Sequence, residues 1–183
     1  MKKAFTMLEL VFVIVVIGIL AAVIIPRTER SNVSEAAIEL ESQIRYAQHL
    51  AIINDKFDPN NATWFINLWQ IRFNGNEYSI VSDNNTRFAR NPQDGSNISG
   101  VDLNEKYQVT IQPSGDCTGV SIISFDHLGR PIIGDISANA QPYVAGQLLQ
   151  DNQNCSIDIK DDGNMESNAT LRIHAETGYV ERL

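Results

Sequence analysis

Histidine, cysteine and positive charge are all scarce in this chain of 183 residues. The three His, His49, His127 and His174, are scattered over a predicted helix, a turn and a strand, and the adjacency of Asp126 and His127 is not a triad. The sequence has no CxxC, no HExxH and no glycine-rich phosphate loop after a strand-like run. These absences leave no catalytic constellation, and the chain reads as a non-enzyme that needs no cofactor or metal. Lys and Arg number 14 against 22 Asp and Glu, a net charge of −8, which argues against a nucleic-acid binder working through a broad basic face. Apolar residues still make up 43%, too many for a disordered chain.

Those apolar residues are unevenly spread. Leu10 to Ile25 is an unbroken run of apolar residues and glycine. Extended back to Phe5, the segment covers residues 5–25 and would be roughly 31 Å long as a helix, enough for a hydrocarbon core of about 30 Å. Lys2 and Lys3 precede it, and Arg27, Glu29 and Arg30 follow it. The positive-inside rule therefore places the short N-terminus in the cytoplasm. A secretory signal peptide would have a shorter apolar core before its cleavage site. A plain anchor leaves Glu9 unexplained, because a carboxylate in an apolar membrane helix costs about 2.5–3.5 kcal/mol near mid-membrane. Such a residue is a candidate for function, and the competing reading puts it at headgroup level.

Lys2-Lys3-Ala4 before Phe5-Thr6-Met7-Leu8-Glu9, followed by the apolar run, resembles the class III leader of type IV pilins and type II secretion pseudopilins. The resemblance implies cleavage between Ala4 and Phe5 by a prepilin peptidase, and N-methylation of Phe5. The family usually carries Gly before the cut, where this chain has Ala4. Glu9 falls where the family keeps a glutamate, and Pro26 where these helices commonly carry a proline. A buried charge is costly alone and much less so when paired. Glu9 is thus expected to pair with the new amine of a neighbouring subunit and to set its register in a filament.

After Pro26 a second helical pattern runs to Asn54. Val33, Ala37, Leu40, Ile44, Ala47 and Ala51 recur at spacings of three and four, and Ile38, Tyr46, Leu50 and Ile53 widen the stripe. Continuous with the span and kinked at Pro26, the helix would reach about 75 Å. Trp64–Phe73, Glu77–Ser82, Tyr107–Gln112, Gly119–Phe125, Ser156–Lys160, Leu171–His174 and Tyr179–Arg182 read as strands. Asn74-Gly75 reads as a hairpin turn with positive φ at both positions. Asp83–Lys106 and Gly134–Asn154 read as long loops. Trp64 and Trp69 read as core.

Two later stretches, FDHLGRP at Phe125–Pro131 and LRIHAETGYVERL at the end, resemble GspH/FimT-type minor pseudopilins. The fold this implies is α+β, a long N-terminal helix packed on a small antiparallel β-sandwich. The expected organisation is a leader over 1–4, a transmembrane helix over 5–25, an amphipathic helix over 26–54 and a β-rich domain over 55–183.

Cys117 and Cys155 both follow the span, so with the N-terminus inside they lie in an oxidising compartment. They are expected to form a disulfide with each other; the alternative is two separate thiols, since sequence does not show whether their Cα atoms approach. Asp158, Asp161, Asp162, Asn164 and Glu166 have the oxygen chemistry of a Ca²⁺ site without EF-hand spacing, and read as a solvated acidic turn. Asn168 heads a glycosylation sequon with Glu166 two residues before it.

The combined expectation is a minor pseudopilin of a type II secretion or type IV pilus-like machine. It would be anchored in the inner membrane with its C-terminal domain in the periplasm or on the cell surface. Its partners would be other pilins or pseudopilins, the prepilin peptidase/methyltransferase and the assembly platform. The rivals are a DNA-uptake minor pilin, for which Arg72, Arg87, Arg90 and Arg130 are available in an acidic background, and a membrane-tethered periplasmic enzyme.

Overall fold

A computed structural model describes residues 7–24, 32–163 and 168–183. The chain divides into two compact units, with the second starting at Asn32. Within the first lies α1 (Met7–Ile24), eighteen residues of mostly Leu, Ile and Val with Glu9 in its first turn.

The second unit opens with α2 (Asn32–Ile53). The expected stripe is buried throughout: Val33, Ala37, Leu40, Ile44, Ala47 and Ala51 are at most 2% exposed, and Ala36 joins them. Alanine at three of the six stripe positions lets the backbone of α2 approach the strands closely. Ile38 and Ile53 do not widen the stripe as expected, since they are 53% and 62% exposed. Each residue turns the helix by about 100°, and one step past Ala37 or two past Ala51 leaves the buried face. Tyr46 and Leu50 do pack against its edge.

Two antiparallel sheets receive this stripe. The larger has the order β3 (Arg87–Phe88), β2 (Glu77–Ser82), β1 (Trp69–Asn74), β6 (Ile122–Phe125), β7 (Pro131–Ile133), with β4 (Val101–Asp102) also on β2. The smaller has the order β10 (Val180–Arg182), β9 (Asn168–Ile173), β8 (Cys155–Asp161), β5 (Val109–Gly115). Alternation sends Ile71, Ile80, Ile123 and Phe125 of the first sheet and Ile157, Ile159, Leu171 and Ile173 of the second into one core with α2. Trp69 belongs to that core, while Trp64 packs on a separate cluster of Phe65, Leu68, Ile132 and Ile136.

Several expected boundaries shift. Trp64–Phe73 is not one strand: Trp64–Asn67 forms a 3-10 turn that buries Phe65 in the second cluster, and pairing starts at Trp69. The hairpin turn is displaced by one residue. Asn74 still pairs with Glu77, so Gly75 and Asn76 make the turn and of these two Gly75 alone has positive φ, 61°. Asp83–Lys106 is not a plain loop, because it contains β3, β4 and the start of α3 (Leu103–Tyr107). Two-residue strands carry no readable periodicity, and this segment is held instead by the buried side chains of Ala89, Ile98 and Leu103. The helix α3 also claims Tyr107, so β5 begins at Val109. Asp102 accepts from the backbone N–H of Asn104 and Glu105 and so caps α3. Gly134–Asn154 contains no helix and no strand longer than the single bridge of Leu148 to Ile132.

Candidate functional site

The expected function rests on the N-terminal residues. Ala4, Phe5 and Pro26 lie outside the described residues. Glu9 is in the first turn of α1, where the positive end of the helix dipole favours a carboxylate. Leu10, Phe12, Ile14, Ile17 and Leu20 are all more than half exposed. With Val11 and Val15, also more than half exposed, they cover every side of the helix, so α1 has no polar face of its own. Among the described residues no helix is long and apolar enough to cross a membrane. The twenty-one-residue span expected over 5–25 is therefore not shown, and neither is its continuity with α2.

In the second unit the two motifs of the later sequence meet at one side chain. Gln48 of α2 donates from Nε2 to the carbonyl of Gly129, 3.0 Å, and to that of Thr177, 2.6 Å. One carbonyl belongs to the turn after β6, the other to the turn between β9 and β10. The approach is too close for a larger residue: a Cβ on Gly178 would lie 2.2 Å from the Gly129 oxygen, and Gly178 has φ 62°. Asp126 holds the first turn. It is fully buried and accepts from the backbone N–H of Leu128 and Arg130, from Arg130 Nε at 2.8 Å and from the Tyr143 hydroxyl. The Arg130 guanidinium in turn lies 5.5 Å from the centre of the Tyr143 ring. Gly-Arg-Pro and Thr-Gly thus serve as paired clasps on α2. Gln48, which the periodicity places on a polar helix face, is their common partner.

A second polar hub lies higher on α2. Glu39 accepts from the Tyr78 hydroxyl of β2 at 3.0 Å, from the Tyr107 hydroxyl of α3 at 2.6 Å and from Lys106 Nζ. Burial alone would push the Glu39 carboxyl up, but the hydrogen bonds from Lys106, Tyr107 and Tyr78 outweigh it and hold the group below its usual range. The Tyr78 hydroxyl is pushed far up by burial and then by the Glu39 charge. Periodicity could not find this site, because Glu39 reads as an ordinary solvated face and its donors come from distant elements.

Cys117 and Cys155 form a disulfide with Cα atoms 4.9 Å apart, and both residues are fully buried. The pairing of β5 with β8 brings them together, since Gly115 faces Cys155 across the ladder. Asp116 reinforces the junction by accepting from the Asn154 N–H at 2.6 Å.

The remaining candidates stay apart. His49 and His127 are exposed, and His174 contacts Glu181 at 3.0 Å. Asp158 accepts from Thr170, Asp161 from the Gly163 N–H and Asp162 from Asn104, while Asn164 and Glu166 lie outside the described residues. Among the described residues no group of three or more His, Cys, Asp or Glu could hold a metal ion. Asn168 is exposed at the start of β9. Of the arginines, Arg130 is tied to Asp126, Arg90 donates to the Gly95 carbonyl and Arg87 lies 3.9 Å from Asp83. Arg72 sits on the opposite side of the larger sheet from α2, since Ile71 and Phe73 face the core.

This arrangement of a helix laid over two antiparallel sheets, with a separate apolar helix before it, is a pilin-like fold. The crystal structure of the type IV minor pilin FimU of Pseudomonas aeruginosa strain PAO1 matches it with a TM-score of 0.50 over 85% of this chain and 91% of that one. The two sequences are 16% identical, so the likeness is one of fold. No protein-family profile matches the sequence, and no curated protein does.

Proposed function

We propose that this chain is a minor pilin-like subunit, a pseudopilin or minor pilin of a type II secretion or type IV pilus-like machine, and that its biochemical act is assembly rather than catalysis. The observation that carries the proposal is α1: an apolar helix without a polar face, its large side chains exposed, preceding a unit of minor-pilin fold. A helix that is hydrophobic all round belongs in a membrane or in the core of a larger assembly. A filament subunit uses both environments in turn. The inner membrane stores the helix, and neighbouring subunits cover it after extraction. The leader-like residues supply the rest of the reading. The prepilin peptidase/methyltransferase cuts between Ala4 and Phe5 and methylates Phe5. Glu9 then offers a neighbour's new amine a partner at one axial offset, and the assembly platform drives extraction. The C-terminal unit, outside the inner membrane, carries contacts to other pilins.

The test is intact-mass and terminal-peptide spectrometry of the protein from its native host. The expected species lacks residues 1–4 and carries a methyl group on Phe5. A mature start near Val23, as after a conventional signal-peptide cut, would sink the proposal.

A further inference from the structure

The larger sheet buries Trp69, Ile71 and Phe73 against α2, so alternation sends Arg72 and Asn74 to its other face. On that face the cluster of Phe65, Leu68, Ile132 and Ile136 covers the β7 side. Toward the β1–β2 turn this cover is replaced by an open cleft of about 450 Å³, lined among others by Arg72, Asn74, Glu77, Ser79, Phe88 and Ile122. The volume lies within the range of small-molecule sites.

Two opposite charges share this cleft without pairing. Arg72 faces Ser79 across the ladder and Asn74 faces Glu77. Arg72 and Glu77 are therefore diagonal neighbours on one face, with Cα atoms roughly 7–8 Å apart. Among the described residues neither makes an ion pair, and Arg72 Nε is buried without a hydrogen-bond partner. Asp135 does not supply one. Hydrogen bonds from the Ser137 backbone and hydroxyl hold its carboxyl below the usual range, with a smaller pull from the Arg72 charge and no ion pair. A partly desolvated guanidinium is costly when unpaired, and the Asp135 charge offsets that cost only in part. Ser79 Oγ accepts from the Gly100 N–H at 2.8 Å, which leaves the hydroxyl proton free to donate into the cleft.

We propose that the Arg72–Glu77 cleft binds a small zwitterion of the α-amino-acid class. The carboxylate lies against the planar guanidinium fork of Arg72, which suits a bidentate acceptor, with the Ser79 hydroxyl as a further donor. The ammonium group is held by the Glu77 carboxylate. An apolar side chain packs on Phe88 and Ile122. A simple anion would meet Glu77 at close range and be repelled, and a simple cation would meet Arg72. Only a ligand carrying both charges is matched to the pair.

The test is ligand-observed NMR and calorimetry on the full chain in detergent micelles, with leucine as probe. Isovalerate, which lacks the ammonium group, and leucinamide, which lacks the carboxylate, serve as the matched comparisons. Leucine is expected to saturate, and each comparison ligand to bind at least about tenfold more weakly, the loss of one charge-assisted hydrogen-bonded pair. Arg72→Gln should abolish the leucine signal. Glu77→Gln should weaken leucine toward the isovalerate level while leaving isovalerate no weaker than in the wild type. No saturable leucine signal up to about 50 mM, far above the millimolar range of a weak small-ligand site, would overturn the proposal. So would equal binding of leucine and leucinamide, or leucine binding that survives Arg72→Gln. The three-ligand comparison on the wild-type chain decides the matter even if a variant folds poorly.

Discussion

Replacing Glu39 should weaken the unit beginning at Asn32 by an amount that depends on pH. The Glu39 side chain is 17% exposed and joins α2 to β2 and α3 through Tyr78, Tyr107 and Lys106. Hydrogen bonds to a charged group contribute about 1.5–3 kcal/mol each. Lys106 is half exposed, so its ion pair adds no more than about 0.5 kcal/mol. Two tyrosine bonds at the low end give roughly 3 kcal/mol, from which the cost of burying the carboxylate must be subtracted. Glu39→Ala also leaves the hydroxyl of the buried Tyr78 without its acceptor. A net loss of about 2–3 kcal/mol follows, or roughly 4–10 °C in melting temperature for a unit of this size. Tyr78→Phe should cost about 1.5 kcal/mol, the low end for one such bond, because Glu39 keeps two donors. The sign of the pH dependence is fixed by the lowered carboxyl. A group whose folded pKa is depressed stabilises above its unfolded value, near 4.5, and that contribution is lost as pH falls through the folded value. Glu39→Gln should therefore be clearly less stable than wild type near pH 7, and the difference should shrink toward about pH 3. Denaturant titration followed by circular dichroism at both pH values is the assay. A difference under about 0.5 kcal/mol at neutral pH, or one that does not change with pH, would refute the account of Glu39 as a charged hub.

Gly178→Ala should destabilise the clasp on α2, because the new Cβ would strike the Gly129 carbonyl and the residue would be held at φ 62°. A loss of about 2 kcal/mol or more is expected, read as a lower thermal midpoint and as faster amide exchange around Gln48; a wild-type midpoint would remove the clasp. Reduction, or joint replacement of Cys117 and Cys155 by Ser, should lower stability by roughly 3–4 kcal/mol in the chain-entropy model while leaving the far-ultraviolet spectrum unchanged. The loop closed spans a 38-residue separation. Thiol counting under denaturing conditions checks the bridge in the same samples, and two free thiols in protein from the oxidising compartment would refute it.

The elements legible in the sequence are those that local chemistry decides. The stripe from Val33 to Ala51 follows from the 3.6-residue repeat alone, and its burial is complete. Strands β2, β8 and β10 lie within one residue of their expected bounds, whereas β9 starts three residues before the expected Leu171. The apolar run around α1 was equally plain. Contacts between distant residues were not legible. Nothing in the pattern distinguishes Glu39 from Glu41, or Gln48 from Gln43, until β2, α3 and the two glycine turns are brought against α2. The same holds for Asp126, whose partner Arg130 is near in sequence but whose full burial depends on Tyr143 and the surrounding strands. Short strands such as β3 and β4 have too few residues to show a period, so only pairing with β2 defines them. With two cysteines the chain allows a single pairing, while the register of β5 on β8 brings them within reach. Periodicity reports which side of a segment avoids water. Register, turn geometry and the approach of separate elements decide which polar groups then find one another, and those depend on the whole packed unit.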